Sequence, residues 1–303
     1  MKNSTKALLA LLCCAVLIMG LGLTMLLSGA RQGEPLQNSS SYSAPSGSLN
    51  ASLMEGVRVS QKTMEGVPLL EYTTGIAAPQ PVVILIHGLT GDKSVFEPLA
   101  LQLAKQNFLV LCPDAYGHGD RKNDPPLSAL EMACETARDI DKYLAHYDES
   151  TGADKTRLIL AGFSLGGFSA YHYAANGNML PTAVVTVCAT PDWEEMVGRS
   201  ITYTTYENQR SHTIRDENAR TVIDAFLTEN NPMPVLETET SIRFQMMFGA
   251  KDETVPYMGG LRLSEALAAT APGMASFKLD EEMGHAINEE QVIEIYEYIC
   301  NLF

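Results

Sequence analysis

The sequence predicts one α/β domain: a mostly parallel sheet with helices on both faces and a small cap insertion, preceded by a leader and a linker. Three observations carry this expectation. Short apolar runs rich in β-branched residues alternate with longer segments of helical spacing, the pattern of strands buried on both faces. With 46% hydrophobic and 19% charged residues in 303, the chain can bury one large core. Finally, a Gly-x-Ser-x-Gly motif falls where an apolar run meets a helical stretch.

Taken in chain order, residues 1–30 form the leader. Residues 7–27 carry no charge, and as a helix they would span about 31 Å, the thickness of a bilayer core. Lys2 and Lys6 precede them, so the positive-inside rule leaves the N-terminus in the cytoplasm and the remainder outside. The length predicts an uncleaved signal-anchor, a single-pass attachment to the cell membrane. The alternative is cleavage after Ser28-Gly29-Ala30 and secretion of the domain. Residues 31–55 are rich in Ser, Gly, Asn and Pro and lack the apolar content to fold alone, so they read as a flexible tether.

The folded domain is expected over residues 56–303. Val57-Arg58-Val59 and Pro68-Leu69-Leu70-Glu71-Tyr72, separated by Met64-Glu65-Gly66, read as a hairpin. Buried strands are predicted at Pro81-Val82-Val83-Ile84-Leu85-Ile86, Phe108-Leu109-Val110-Leu111-Cys112, Leu158-Ile159-Leu160-Ala161, Ala183-Val184-Val185-Thr186-Val187-Cys188 and Ile242 to Gly249, with a last one at Ala275-Ser276-Phe277-Lys278-Leu279. Helices are predicted over 94–106, 128–147, 165–175, 260–269 and 288–301, and over 216–228 within an insertion at about 193–240. That insertion is expected to cap the end of the sheet, with Trp193, Met196, Tyr203 and Tyr206 as candidate pocket walls.

The chemistry-bearing residues gather at strand ends. In Gly162-Phe163-Ser164-Leu165-Gly166 the serine stands on a turn too tight for bulky neighbours, hence the two glycines. The helix that follows aims its free N–H groups at the site. Asp252 follows the strand ending at Gly249, and His285 follows the last strand. The order Ser, Asp, His suits a nucleophile, an orienting carboxylate and a general base. His87-Gly88-Leu89-Thr90-Gly91 ends another strand, and the backbone N–H groups of Leu89 and Leu165 are the candidate oxyanion hole.

On these motifs, residues from about Val57 to Phe303 resemble the α/β-hydrolase superfamily. His87 to Lys93 and Asp114-Ala115-Tyr116-Gly117-His118-Gly119-Asp120-Arg121 look most like the small bacterial serine esterases near the dienelactone-hydrolase and acylaminoacyl-peptidase branches. The resemblance implies an eight-stranded sheet and hydrolysis of a carboxylic ester through an acyl-enzyme; the alternatives are a serine peptidase of the aminoacyl- or acyl-peptidase kind and a catalytically silent binding module on the same fold. Dienelactone hydrolases use a cysteine nucleophile, whereas this chain has Ser164.

Composition narrows the alternatives. The net charge of −15, with no basic cluster, argues against nucleic acid as a partner. No zinc-type Cys/His spacing or glycine-rich phosphate loop is present, so no cofactor or metal is implied and a small-molecule ester is the expected partner. Cys112, Cys134, Cys188 and Cys300 are expected as buried free thiols. Asp192 is a rival acid whose simpler role is to cap a helix starting at Trp193. Asp114 is expected to fix the turn through Gly117 and Gly119, and His87 to support the oxyanion turn. His146, His172 and His212 are expected at the surface.

Overall fold

The computed structural model describes residues 55–75, 79–199, 204–207, 210–213 and 217–303, with side chains outside 198–220. The leader over 1–30 and all but the last residue of the tether lie outside the described residues. Among the described residues, no helix is long and apolar enough to cross a membrane.

Eight strands form one sheet: β1 (Arg58–Met64), β2 (Val67–Thr73), β3 (Gln80–Ile86), β4 (Leu109–Pro113), β5 (Ala153–Phe163), β6 (Ala183–Val187), β9 (Arg243–Gly249) and β10 (Ala275–Asp280). Their order is β1-β2-β4-β3-β5-β6-β9-β10. β1 and β2 form the predicted hairpin, and β2 also runs antiparallel to β4. Every other neighbouring pair is parallel. The hairpin turns on Glu65 and Gly66, at φ 49° and 83°, the paired positive φ of a tight turn matched to strand twist.

Alternation along the strands divides the interior into two layers. Val82, Ile84 and Ile86 of β3, with Leu158 and Leu160 of β5, face one way. There they meet α2 (Ala129–Leu144), α3 (Leu165–Asn176) and α7 (Met258–Thr270). Val83 and Leu85, with Ile159 and Ala161, face the other way, onto α1 (Glu97–Lys105) and α8 (Glu289–Cys300). Both helix layers place apolar residues three and four apart toward the sheet, as Val292, Ile295 and Ile299 do in α8. Ser128 with Glu131 opens α2, and Asn288 with Gln291 opens α8, each as a capping box that satisfies orphan N–H groups. α1 starts at Glu97 rather than 94, because Asp92 accepts from both the N–H and the hydroxyl of Ser94 and holds a turn there.

Strand order reverses at β3: β4 lies on one side and β5 on the other. A crevice beyond the C-terminal strand ends is expected at such a switch point. The register sets what meets there. Ile86 is opposite Gly162, so the segment starting at His87 runs beside the one starting at Phe163.

Between β6 and β9 the chain forms α4 (Trp193–Arg199), a separate two-stranded antiparallel sheet of β7 (Thr204–Glu207) and β8 (Arg210–Thr213), α5 (Glu217–Asn230) and α6 (Met233–Leu236). The helix expected over 216–228 corresponds to α5. The hairpin and α6 carry no clear periodicity and are found only in the structure.

Candidate active site

Ser164 is the cap residue between β5 and α3, at φ 51° and ψ −117°. A non-glycine residue at positive φ is uncommon, and its cost is borne by tight surroundings. Those surroundings are backbone. A Cβ on Gly162 would lie 2.3 Å from the carbonyl carbon of Gly166, and one on Gly166 only 2.0 Å from Ile86 O. The Ser164 N–H donates to Val187 O at 3.0 Å, which ties the turn to the end of β6.

His285 lies in the loop after β10, as the central residue of a three-residue turn in which Ala286 N donates to Gly284 O at 2.9 Å. Its Nε2 is 2.9 Å from Ser164 Oγ and its Nδ1 2.8 Å from Asp252 Oδ2. The other oxygen of Asp252 accepts from Thr254 N and Val255 N, both at 2.8 Å. A carboxylate is acceptor-only, so Nδ1 carries the proton and Nε2 presents its lone pair to the hydroxyl. Asp252 has 1% of its side chain exposed and His285 10%, so the imidazole alone of the pair reaches the surface. The Phe163 ring lies against the imidazole, 5.3 Å between centroids. The structure thus joins Ser164, Asp252 and His285, contributed by three strand ends, in one hydrogen-bonded chain.

The turn after β3 lies beside the serine. Gly91 N donates to Gly88 O across it, at 3.2 Å, and Thr90 has φ 67°. Leu89 N takes no part in that turn bond. Leu165 is the first residue of α3, where N–H groups have no intrahelical acceptor. His87 braces the turn with both ring nitrogens: Ala115 N donates to Nε2 at 3.0 Å, and Nδ1–H donates to Gly88 O at 2.7 Å. This arrangement requires the neutral ring, and burial lowers the His87 pKa to about 4. Asp114 performs a parallel task from the end of β4. Its carboxylate accepts from Lys93 N and Nζ at 2.8 Å and from Asp120 N at 3.0 Å. Gly119 sits at φ 54° so close that a Cβ would meet the Asp114 carboxylate at 2.1 Å.

The remaining candidates lie elsewhere. Trp193 is completely buried, stacked between His172 at 5.5 Å and Phe226 at 6.3 Å, so it is packed interior rather than an open wall. Met196 packs against the same core. Tyr206 belongs to β7, and Tyr203 lies outside the described residues. Asp192 caps α4, accepting from Glu195 N at 3.0 Å, and its other oxygen pairs with Arg262. His172 departs from the surface position expected for it: it is buried under Trp193, 3.4 Å from Asn230 Oδ1, with its pKa lowered by burial to about 4. His146 stays exposed and faces Glu65. A cavity of about 330 Å³ between β9, β10 and α8 contains none of Ser164, Asp252 or His285.

Sequence reading gave Cys188 no role in the site. Its Sγ, the Asp252 carboxylate and a His285 ring nitrogen lie within 4.8 Å of one another, among the described residues the one group of three potential metal ligands. Two of the three already share a hydrogen bond, and burial pushes the thiol well above its ordinary range, so the set presents itself as a proton-bearing cluster.

The model of the alpha/beta hydrolase family matches residues 83–277. The chain belongs to the α/β-hydrolase family. The Bacillus subtilis (strain 168) protein YitV, whose name reads "Putative esterase", is 22% identical over 258 residues, covering 80% of this chain and 98% of YitV. Esterase YjfP of Escherichia coli (strain K12) is 25% identical over 224 residues, covering 71% of this chain and 86% of its own. Among solved structures, TT1662 from Thermus thermophilus superposes with a TM-score of 0.60 at 22% identity, over 81% of this chain and 98% of that one. The acylaminoacyl peptidase of Pyrococcus horikoshii gives 0.63 at 13% identity, over 84% of this chain and 42% of the peptidase. At these identities the structural likenesses show the fold, and family membership makes this chain a hydrolase-family enzyme.

Proposed function

We propose that the protein is a serine hydrolase that cleaves carboxylic esters through an acyl-enzyme. The observation that carries this reading is the chain of hydrogen bonds from Ser164 Oγ through His285 to Asp252, at 2.9 and 2.8 Å. His285 Nε2 takes the hydroxyl proton as Oγ attacks the ester carbonyl carbon. The carbonyl oxygen gains the negative charge and is met by the N–H groups of Leu89 and Leu165, each worth roughly 2.7–4 kcal/mol of the barrier. As the tetrahedral adduct collapses, the bond to the alcohol oxygen breaks and the imidazolium gives that oxygen its proton. Water then repeats the sequence on the acyl-enzyme, and Asp252 stabilises the imidazolium in both halves.

Ser164→Ala is expected to abolish turnover of p-nitrophenyl esters with circular dichroism and Tm unchanged; full activity in this variant would reject the nucleophile. Asp252→Asn should lower kcat by on the order of 10⁴-fold, because the imidazole is then held in the wrong tautomer. A larger deficit from Asp192→Asn would move the acid to that residue. A p-nitrophenyl series of increasing acyl length reads out the size of group accepted, and the sequence supports the insertion over 193–240 as the cap that limits it. The charge-free stretch over 7–27 behind Lys2 and Lys6 supports a signal-anchor that tethers the domain outside the membrane. Fractionation of full-length protein and N-terminal sequencing would separate this from release near Ala30.

A further inference from the structure

We propose that Cys188 is a positioning residue for the base, its buried thiol holding the two peptide carbonyls that bracket His285. The proposal rests on the serine-hydrolase reading and assigns a part of the same site. Cys188 Sγ lies 3.4 Å from Ala286 O and 3.7 Å from Gly284 O. Gly284 O also accepts from Ala286 N and so closes the turn that carries His285. The thiol therefore touches both ends of that turn; of the two carbonyls Ala286 O is the nearer acceptor for its single proton, and the Asp252 carboxylate lies beside it as a further neighbour. Being completely buried, the thiol stays protonated and serves as a donor.

The backbone of the same residue joins the other two segments. Cys188 N donates to Met247 O at 2.9 Å, in the strand that leads to Asp252, and Val187 O accepts from Ser164 N at 3.0 Å. The peptide at 187–188 thus touches the nucleophile turn and the acid strand, and the thiol beside it reaches the base turn. Cys188 also has φ 50°, a conformation that glycine adopts without cost and a residue with a Cβ does not. A glycine would satisfy the backbone here, so the side chain that occupies the position is there for its own contacts. Sγ supplies them, on the carbonyls either side of His285.

The test uses purified Cys188→Ala, Cys188→Gly and Cys188→Ser, each measured for kcat and KM on p-nitrophenyl acetate, for Tm, for labelling by a fluorophosphonate probe, and for the downfield proton resonance of the His285–Asp252 hydrogen bond. Loss of the thiol should loosen the base turn and lower kcat by about ten- to hundredfold, with KM within about twofold of wild type. The downfield resonance should broaden or vanish. Cys188→Gly should show this deficit even though it relieves the backbone. Cys188→Ser, which restores a donor, should recover kcat to within about threefold. Wild-type kcat in both Cys188→Ala and Cys188→Gly would overturn the proposal, as would equal deficits in Cys188→Ser and Cys188→Ala. If wild-type protein itself takes no probe on Ser164, the serine reading fails first, and the inference falls with it.

Discussion

The turn that carries Ser164 and the insertion between β6 and β9 both pack on α3, yet they are held by different means. At the turn, backbone meets backbone: Gly162 against Gly166, and Gly166 against Ile86 O. There is no side chain to yield. The insertion is held by side chains, with Trp193 stacked between His172 and Phe226 and Asn231 Oδ1 accepting from Trp193 N at 3.0 Å. Contacts of the first kind fix atoms to fractions of an ångström, which the proposed nucleophile requires. Those of the second kind supply burial and tolerate adjustment, since a side chain can change rotamer where a peptide cannot.

The comparison breaks most visibly at Gly166. Gly166→Ala must move Ile86 or the serine, and the N–H groups of Leu89 and Leu165, the proposed oxyanion donors, move with them. Turnover is expected to fall by at least about 10²–10³-fold, and stability by on the order of 3 kcal/mol, read by urea unfolding. Wild-type activity in Gly166→Ala would show that the turn has slack.

The next effect sharpens the comparison through acid, because each region holds one buried neutral histidine. His87, in the turn after β3 that packs against Gly166, and His172 beneath the insertion both have pKa values lowered by burial to about 4, against about 6.5 in an unfolded chain. As pH falls below 6.5 the unfolded chain binds protons that the folded one refuses, so stability declines through that window until about pH 4. Each residue contributes on the order of 3 kcal/mol to the decline. His172→Phe should remove one share, giving a shallower loss of stability between pH 7 and pH 4.5 with ester turnover at neutral pH retained. Curves for the two proteins that run within about 1 kcal/mol of each other would discount the buried ring.

The smallest effect belongs to the start of the insertion. Asp192→Ala removes the cap of α4 and the pairing with Arg262. It should cost about 1 kcal/mol by denaturant unfolding, with kcat unchanged. A larger loss would mean that the insertion is fixed as rigidly as the turn at Ser164.

The sheet was legible in the sequence because its central strands are buried on both faces and read as unbroken apolar runs, as Val82 to Ile86 do. The strand-end residues were legible for a related reason: a tight turn admits few residue types, and Gly162, Ser164 and Gly166 declare it. The insertion obeys no such rule. Helix α3 is buried along nearly its whole length, Leu165 to Ala174, because Trp193 and its neighbours cover the side turned from the sheet. That tertiary burial took His172 inside, and it made packed interior of a tryptophan whose place in the chain pointed to a pocket. Cys188 was hidden for a third reason: its contacts are to carbonyls nearly a hundred residues away in sequence, at 284 and 286, and a peptide carbonyl leaves no mark on residue identity.

The pairing of Ile86 with Gly162 has one more consequence. Leu89 lies in the turn just past β3 and Leu165 opens the helix just past β5, so their N–H groups sit at the ends of neighbouring parallel strands and their spacing follows from the ladder between β3 and β5. In the proposed mechanism, a change in the excursion that follows β6 would therefore leave the spacing of the two oxyanion donors as it is.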